Sequence, residues 1–396
     1  MPRTGNTGVP SGSRTTPPPP HDFGEGPSAP PRKWDDPPAE DPPSLPTKPK
    51  LPLRTVLLVE KTRFPTRASP DTHEILQLGF TGSDRHLLCA VPPESNHKPR
   101  LLTDGTTEVL VFDLPSLEEK QTKGRTRGCG LRSIGGFAVA PEPSTATVLV
   151  GYVRSEKRHS SYDAPAIVET HDLLSQVRMY RDELDVCAPL ACRASMKLVV
   201  GVSLRDPTRI VVLTRPGFAS GSKWTIARVL AGHMARVTHL VLVPNEGVVV
   251  SADEDGWVRM TDVGDGSTLR KVQIETKVPA RLMQIAADGS VVVTVWGRQV
   301  LVWKIHEEDV STFNLDDVRP TEGWPLAISA DCRLLVSRTE DGVDVVDAHT
   351  GEFLAEYRLP SHPLVTAAAF NHRGDVLAVG NFEGQVTLLD VVTAKG

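Results

Sequence analysis

The stretch that decides the fold is residues 230–262, which read LAGHMARVTHLVLVPNEGVVVSADEDGWVRMTD. Three short apolar runs lie inside it, at Val237–Val243, Val248–Ala252 and Trp257–Asp262. The turn-forming sequences NEG and DEDG separate these runs. Apolar and β-branched runs divided by Gly, Asp and Asn are typical of antiparallel strands joined by hairpins. The stretch therefore predicts a small antiparallel sheet.

The same unit recurs along the chain at a regular interval. The predicted third strands end at Asp262, Lys304, Asp347 and Asp390, a spacing of 42 or 43 residues. The turn sequences EDG, EDG and FEG precede three of these four strands. A period of about 40–45 residues indicates an array of small sheets in which each sheet covers the next.

These residues resemble the WD-repeat (Trp-Asp repeat) β-propeller family. Gly232-His233 matches the Gly-His pair of that family, Ser251 its strand serine, and Asp255-Gly256 its tight turn. Asp262 matches the Asp of the Trp-Asp pair, with Thr261 in the place of the Trp. The resemblance implies a structural His233 that bonds Ser251 and the Asp255 turn.

The other units keep different parts of the motif. Trp303 stands at the Trp position of its unit, where Lys304 replaces the Asp. Asp347 and Asp390 keep the Asp of the pair. No unit carries the complete His-Ser-Asp-Trp set, so the resemblance implies a fold and leaves the function open.

We predict an all-β propeller over residues 53–396, with seven four-stranded blades. Thr55–Glu60 is an apolar run without an earlier neighbour, and the last unit has only three strands, ending with Gln385–Val391. Pairing of these two segments would complete a blade and remove an exposed sheet edge. Six or eight blades remain alternatives.

The second unit, about residues 132–187, is irregular. Its strands are predicted at Ile134–Ala140, Thr147–Val153 and Gln176–Arg181. Residues 154–175 are interpreted as an insertion between its second and third strands. The resemblance places that connection on the same face as the Gly-His loops, and loops on a rigid scaffold often carry binding functions.

Residues 1–52 form a Pro-rich tail with 16 of the 34 prolines of the chain. Such a composition cannot bury enough apolar surface to order itself, so we expect disorder. Two PxxP patterns followed by a cation are typical of ligands for SH3-type domains, although so many prolines also produce the pattern by chance. The candidate partner-binding residues are Pro27, Pro30, Arg32, Pro43, Pro46 and Lys48.

A basic region extends over residues 120–160, with eight Lys or Arg against two Glu. Lys157 and Arg158 are its candidate contacts for phosphoinositide, nucleic acid or an acidic protein. A solvated run of charge beside a loop explains the same composition. The net charge of −5 gives the whole chain no basic character.

The composition places few other constraints on the chain. The five Cys are odd in number and scattered, which is typical of a reducing compartment. We find no signal peptide, no apolar run long enough for a membrane helix and no prenylation motif, so a cytoplasmic or nuclear location is expected.

The leading functional hypothesis is a non-enzymatic scaffold or adaptor that binds other proteins. No phosphate-binding glycine loop, HExxH pair or nucleophile elbow is found, and we expect no cofactor. One alternative is a ligand-sensing or enzymatic propeller with a site at the central channel. Another is phosphate or nucleic-acid binding through residues 120–160.

Overall fold

A computed structural model describes the part of the chain that carries the repeats. The described residues are 55–66, 74–91, 108–114, 118–119, 137–139, 147–153, 166–172, 177–184, 186–193, 197–216, 223–243, 247–275, 278–307, 309–317, 324–360 and 363–394.

These residues form an all-β propeller of four-stranded antiparallel blades. The only helical element in the described ranges is the 3-10 turn Leu315–Asp317. No helix in these ranges is long and apolar enough to cross a membrane. The strands before the decisive stretch are β1 (Thr55–Pro65), β2 (Gln77–Phe80), β3 (His86–Val91), β4 (Glu108–Asp113), β5 (Glu118–Glu119), β6 (Phe137–Val139), β7 (Thr147–Val153), β8 (Ala166–Asp172), β9 (Val177–Leu184), β10 (Val186–Cys192), β11 (Leu198–Ser203), β12 (Ile210–Thr214) and β13 (Thr225–Leu230).

The remaining strands follow the predicted period closely. The third strands β16, β20 and β24 end at Asp262, Lys304 and Asp347, as the repeat predicts. The strands are β14 (Val237–Leu242), β15 (Val248–Asp253), β16 (Trp257–Asp262), β17 (Thr268–Gln273), β18 (Ala280–Ile285), β19 (Val291–Trp296), β20 (Gln299–Lys304), β21 (Val310–Asn314), β22 (Pro325–Ile328), β23 (Leu334–Arg338), β24 (Gly342–Asp347), β25 (Phe353–Arg358), β26 (Val365–Phe370), β27 (Val376–Asn381) and β28 (Gln385–Ala394).

Backbone pairing groups the 28 strands into seven four-stranded sheets. Six of them contribute side chains to the described hydrophobic clusters, and the sheet β6–β9 is defined by its backbone pairing. The first strands contact one another in the order β6, β10, β14, β18, β22, β26 and β2. Each described core therefore lies inside a sheet or between neighbouring sheets.

The N-terminal strand completes the C-terminal sheet, as predicted. β1 pairs with β28 from Thr55 opposite Ala394 to Pro65 opposite Gln385, with a bulge between Glu60 and Thr62. The strand is longer than the predicted Thr55–Glu60 because β28 offers a partner along its whole length. The β1–β28 ladder closes the last blade with residues from both parts of the chain.

The prediction for the second unit is wrong in one respect. Residues 154–175 are not one loop, since Ala166–Asp172 forms β8 and pairs with β7. The predicted third strand, Gln176–Arg181, corresponds to the fourth strand, Val177–Leu184. The polar residues in the sequence AIVETHD suggested a loop, but the free edge of β7 provides a ladder that satisfies its backbone.

Candidate functional site

Each blade has two ends, and the antiparallel strand order determines what lies at each. The turns between second and third strands share one end with the connections between blades; the first-to-second and third-to-fourth turns lie at the other end. We call the first end the loop face and the second the opposite face. The described residues of the loop face are the strand ends and connections at 66, 74–76, 204–209, 231–236, 253–257, 274–275, 278–281, 296–299, 324, 338–342, 359–360, 363–364 and 381–385.

His233 is held at the loop face by two buried partners. Its Nε2 lies 2.7 Å from Ser251 Oγ, and its Nδ1 lies 2.7 Å from Asp253 Oδ2. All three residues are buried. The arrangement fixes the loop before β14 onto the end of β15, which is the structural role that the resemblance implies.

The second partner of His233 differs from the expectation. The expected Asp255 lies on the turn, where its backbone N–H donates to Asp253 Oδ1 at 3.1 Å. The N–H of Trp257 donates to the same oxygen at 3.0 Å. Asp253 reaches both the imidazole and the turn because it ends β15 directly below the loop, whereas Asp255 is beyond the hairpin.

Gly232 is favoured by its backbone conformation. Its φ of 131° lies in the region that favours glycine. A Cβ at this position would also overlap the guanidinium of Arg259, the movable end of a long side chain. The Gly-His pair therefore combines a glycine that admits Arg259 with a histidine that anchors the loop.

The aspartates that end the third strands have separate structural roles. Asp262 Oδ1 accepts the N–H groups of Gly264 and Asp265, and Asp347 Oδ1 accepts those of the corresponding turn after β24. Asp390 forms no such turn because β28 continues past it, and its carboxylate pairs with Lys61 at 3.1 Å. All three lie away from the loop face.

The unit that carries Trp303 has no histidine in the connection before its first strand. Trp303 is buried between two blades. In the same unit Thr294 and Trp296 take the places of Ser251 and Asp253, given their equal distances along the second strand. Both are buried and, among the described residues, their polar side-chain atoms have no hydrogen-bond partner. Trp296 therefore stands at the strand position that Asp253 holds in the unit with His233.

Sequence reasoning missed the exposed apolar residues of the loop face. Trp324, Leu364 and Leu76 each precede the first strand of a blade directly, and Phe382 lies on a turn between second and third strands. Their exposed fractions are 39%, 46%, 44% and 52%. Leu76, Trp324 and Leu364 share one repeat position, directly before a first strand, which the turn and third-strand patterns of the repeat do not include. Met234 and Val278 are exposed on the same face.

The predicted partner-binding residues lie outside the described residues, and they remain predictions. They are Pro27, Pro30, Arg32, Pro43, Pro46, Lys48, Lys157 and Arg158.

The described thiols are buried and hard to ionise. Burial raises the pKa of Cys192 to about 12, and it also raises the pKa of Cys89 and of Cys332. Among the described residues, no group of three or more His, Cys, Asp and Glu is placed to hold a metal ion.

Comparisons with known proteins point to the same kind of repeat. No family model matches the chain. The human protein WD repeat-containing protein 97 is 24% identical over 160 aligned residues, which cover 37% of this chain and 10% of that protein. The matched part is therefore about a tenth of that relative's length. Together with the fold, this similarity supports the resemblance to WD-repeat propellers.

Proposed function

We propose that this propeller is a protein-interaction module whose partners dock on the loop face. The observation that carries the proposal is the group of large apolar side chains exposed there, above all Trp324 and Phe382. Aromatic residues with one exposed face on a rigid scaffold are the usual anchors of protein interfaces. The similarity to a WD-repeat protein supports the same class of function by analogy.

The rigid support under these residues favours binding over incidental exposure. The backbone N–H of Phe382 donates to the carbonyl of Leu364 at 2.9 Å, and that of Arg338 donates to the carbonyl of Trp324 at 2.8 Å. Backbone hydrogen bonds fix where each side chain emerges. Docking on such a surface costs little ordering entropy.

The experiment compares proteins retained by three full-length tagged chains from the same cells. The chains are wild type, the loop-face variant Trp324→Ala with Phe382→Ala, and a control with Leu269→Ala. Leu269 is 48% exposed on the outer strand β17, away from the loop face. We expect quantitative mass spectrometry to find proteins that wild type and control retain and the double variant loses. Identical sets for all three would overturn the proposal.

We also propose a cytoplasmic or nuclear location, which imaging of the tagged full chain would test. An exclusively secreted or organellar signal would contradict it. The similarity to a WD-repeat protein gives the scaffold role more support than the channel-site and basic-region alternatives receive.

A further inference from the structure

A continuous arc of apolar and cationic side chains crosses the loop face from the blade β18–β21 to the blade β2–β5. Each member stands at the loop-face end of a strand or in the connection before one. The arc residues are Arg281, Trp324, Arg338, Leu364, Phe382 and Leu76.

Direct contacts join the first half of the arc. The guanidinium carbon of Arg281 lies 4.0 Å from the centre of the Trp324 ring. The next arc residue is Arg338, whose backbone N–H donates to the carbonyl of Trp324 at 2.8 Å. Stacking on an aromatic ring holds a guanidinium in place while its N–H groups stay available to a ligand. This half therefore offers one guanidinium stacked on the Trp324 ring and a second arginine, Arg338, joined to Trp324 through its backbone.

The second half of the arc continues across two further blades. Arg338 Nη1 lies 3.5 Å from the carbonyl of Val365, next to Leu364. The backbone carbonyl of Leu364 accepts a hydrogen bond from the N–H of Phe382. The residue before Leu76, Ile75, donates its N–H to the carbonyl of Asn381, next to Phe382. The segments that carry the three apolar side chains are thus joined to one another through their backbones.

The charges around the arc have a definite arrangement. Both charged members, Arg281 and Arg338, are cations. Glu340 and Glu383 stand on turns between second and third strands, and Glu383 is next to Phe382. Asp341 on one of these turns is held by Arg358 at 2.7 Å. Arg281 and Arg338 attract an anionic partner, while Glu340 and Glu383 oppose acidic groups at the two turns.

The spacing of the blades sets the period that a partner must have. Packed sheets lie about 10 Å apart, and an extended chain in the polyproline II conformation advances about 3.1 Å per residue with three residues per turn. One blade therefore corresponds to about three residues of an extended segment. A segment that follows the arc would present one side chain to each blade at about every third position.

We propose that the arc binds an extended peptide segment with a large apolar residue at about every third position and acidic residues between them. The inference rests on the proposed function and adds the chemistry of its partner. The acidic residues pair with Arg281 and Arg338, and the apolar residues cover Trp324, Leu364 and Phe382. The charges supply register and selectivity, while the apolar contacts supply most of the binding free energy.

The test uses the full-length chain and labelled synthetic peptides. The probe is GDDFDELDDLG; one control peptide replaces its acids with lysine, GKKFKKLKKLG, and the other replaces its apolar residues with serine, GDDSDESDDSG. We expect only the probe to bind in fluorescence anisotropy, more weakly as salt rises from about 50 to about 300 mM. Arg281→Glu and Arg338→Gln should each weaken binding about tenfold.

The matched control is Arg333→Glu, an exposed arginine on the opposite face of the blade that carries Arg338. It should leave the affinity unchanged, and thermal melts should show that every variant folds. Equal binding of the lysine peptide, displacement of the probe by a single-stranded oligonucleotide, or unchanged affinity in both arginine variants would overturn the proposal.

The outcome also separates this inference from the function on which it rests. If cellular proteins depend on Trp324 and Phe382 while the probe does not bind, the interaction function stands and the acidic segment is wrong. If no cellular protein depends on these residues, both proposals fail.

Discussion

The carboxylate of Glu60 accepts a hydrogen bond from the phenol of Tyr357, although the two residues belong to different blades. Glu60 lies at the bulge of β1, and Tyr357 lies on β25, the outer strand of the neighbouring sheet. Arg63 completes the contact through an ion pair with Glu60 at 3.0 Å. The N-terminal strand therefore closes its own blade and also ties that blade to the next one.

Replacing Tyr357 by Phe should destabilise the protein by less than about 1 kcal/mol. The hydrogen bond involves a charged acceptor, but both side chains are partly exposed and water replaces the contact. Urea unfolding of single and double variants with Glu60→Gln measures the coupling between the two residues. Strictly additive effects would show that the contact contributes nothing.

The same contact predicts a change at alkaline pH. Burial, and then the hydrogen bond to Glu60, raises the pKa of Tyr357 above its ordinary value of 10.0. The folded state therefore binds the phenolic proton more tightly, so this stabilisation is complete below about pH 10 and is lost as the pH rises through the folded pKa. Wild type should lose more stability than Tyr357→Phe above that pH. Parallel stability curves would contradict the prediction.

Removal of the closing strand should be far more harmful than removal of the Pro-rich tail. Val56 is 2% exposed and Leu58 is partly buried against the neighbouring blade, whereas Leu57 and Val59 are exposed. Loss of Val56 alone costs roughly 1.5–3 kcal/mol, and the bare edge of β28 favours aggregation. We expect residues 53–396 to melt cooperatively and residues 62–396 to aggregate. Equal melting temperatures in calorimetry would refute this.

The buried network of His233 should contribute strongly to stability. Asp253→Ala removes an acceptor for His233 and for two backbone N–H groups, so we expect a loss of about 2–4 kcal/mol. Ser251→Ala removes one partner and should cost about 1–2 kcal/mol. Asp255→Ala is the matched control, since the backbone of Asp255 makes the contact. If Asp255→Ala is as unstable as Asp253→Ala in chemical denaturation, the assignment of the structural role to Asp253 is wrong.

Asp84 couples two blades from a left-handed backbone conformation. Its φ is 56°, and its carboxylate accepts the backbone N–H of His372 at 2.8 Å. Asp84→Ala loses the contact and keeps the unfavourable φ, whereas Asp84→Gly loses the contact alone. Ala should therefore be less stable than Gly by about 1 kcal/mol in thermal unfolding. If Ala were the more stable variant, the backbone argument would be wrong.

Much of the fold follows from local sequence patterns. The 42- or 43-residue spacing and the turn residues predicted the strands of the last four units, since each hairpin is specified by its own residues. The pairing of β1 with β28 also followed from the sequence, because the last unit has only three predicted strands and Thr55–Glu60 has no earlier strand to pair with. The prediction failed at β8, where the segment forms a strand because it pairs with the free edge of β7 and not because of its own strand propensity.

The candidate site is likewise determined partly by the sequence and partly by the tertiary structure. By itself the sequence determined the repeat and its hairpins, because these depend on residues close together in one unit, and its resemblance to WD-repeat propellers implied the anchoring role of His233. Only the tertiary structure decided that Asp253 is the acceptor, and that Arg281, Trp324, Leu364 and Leu76 share one face. Those four residues come from four blades and are far apart in the chain. Their proximity arises from the packing of one blade on the next, which no local pattern encodes.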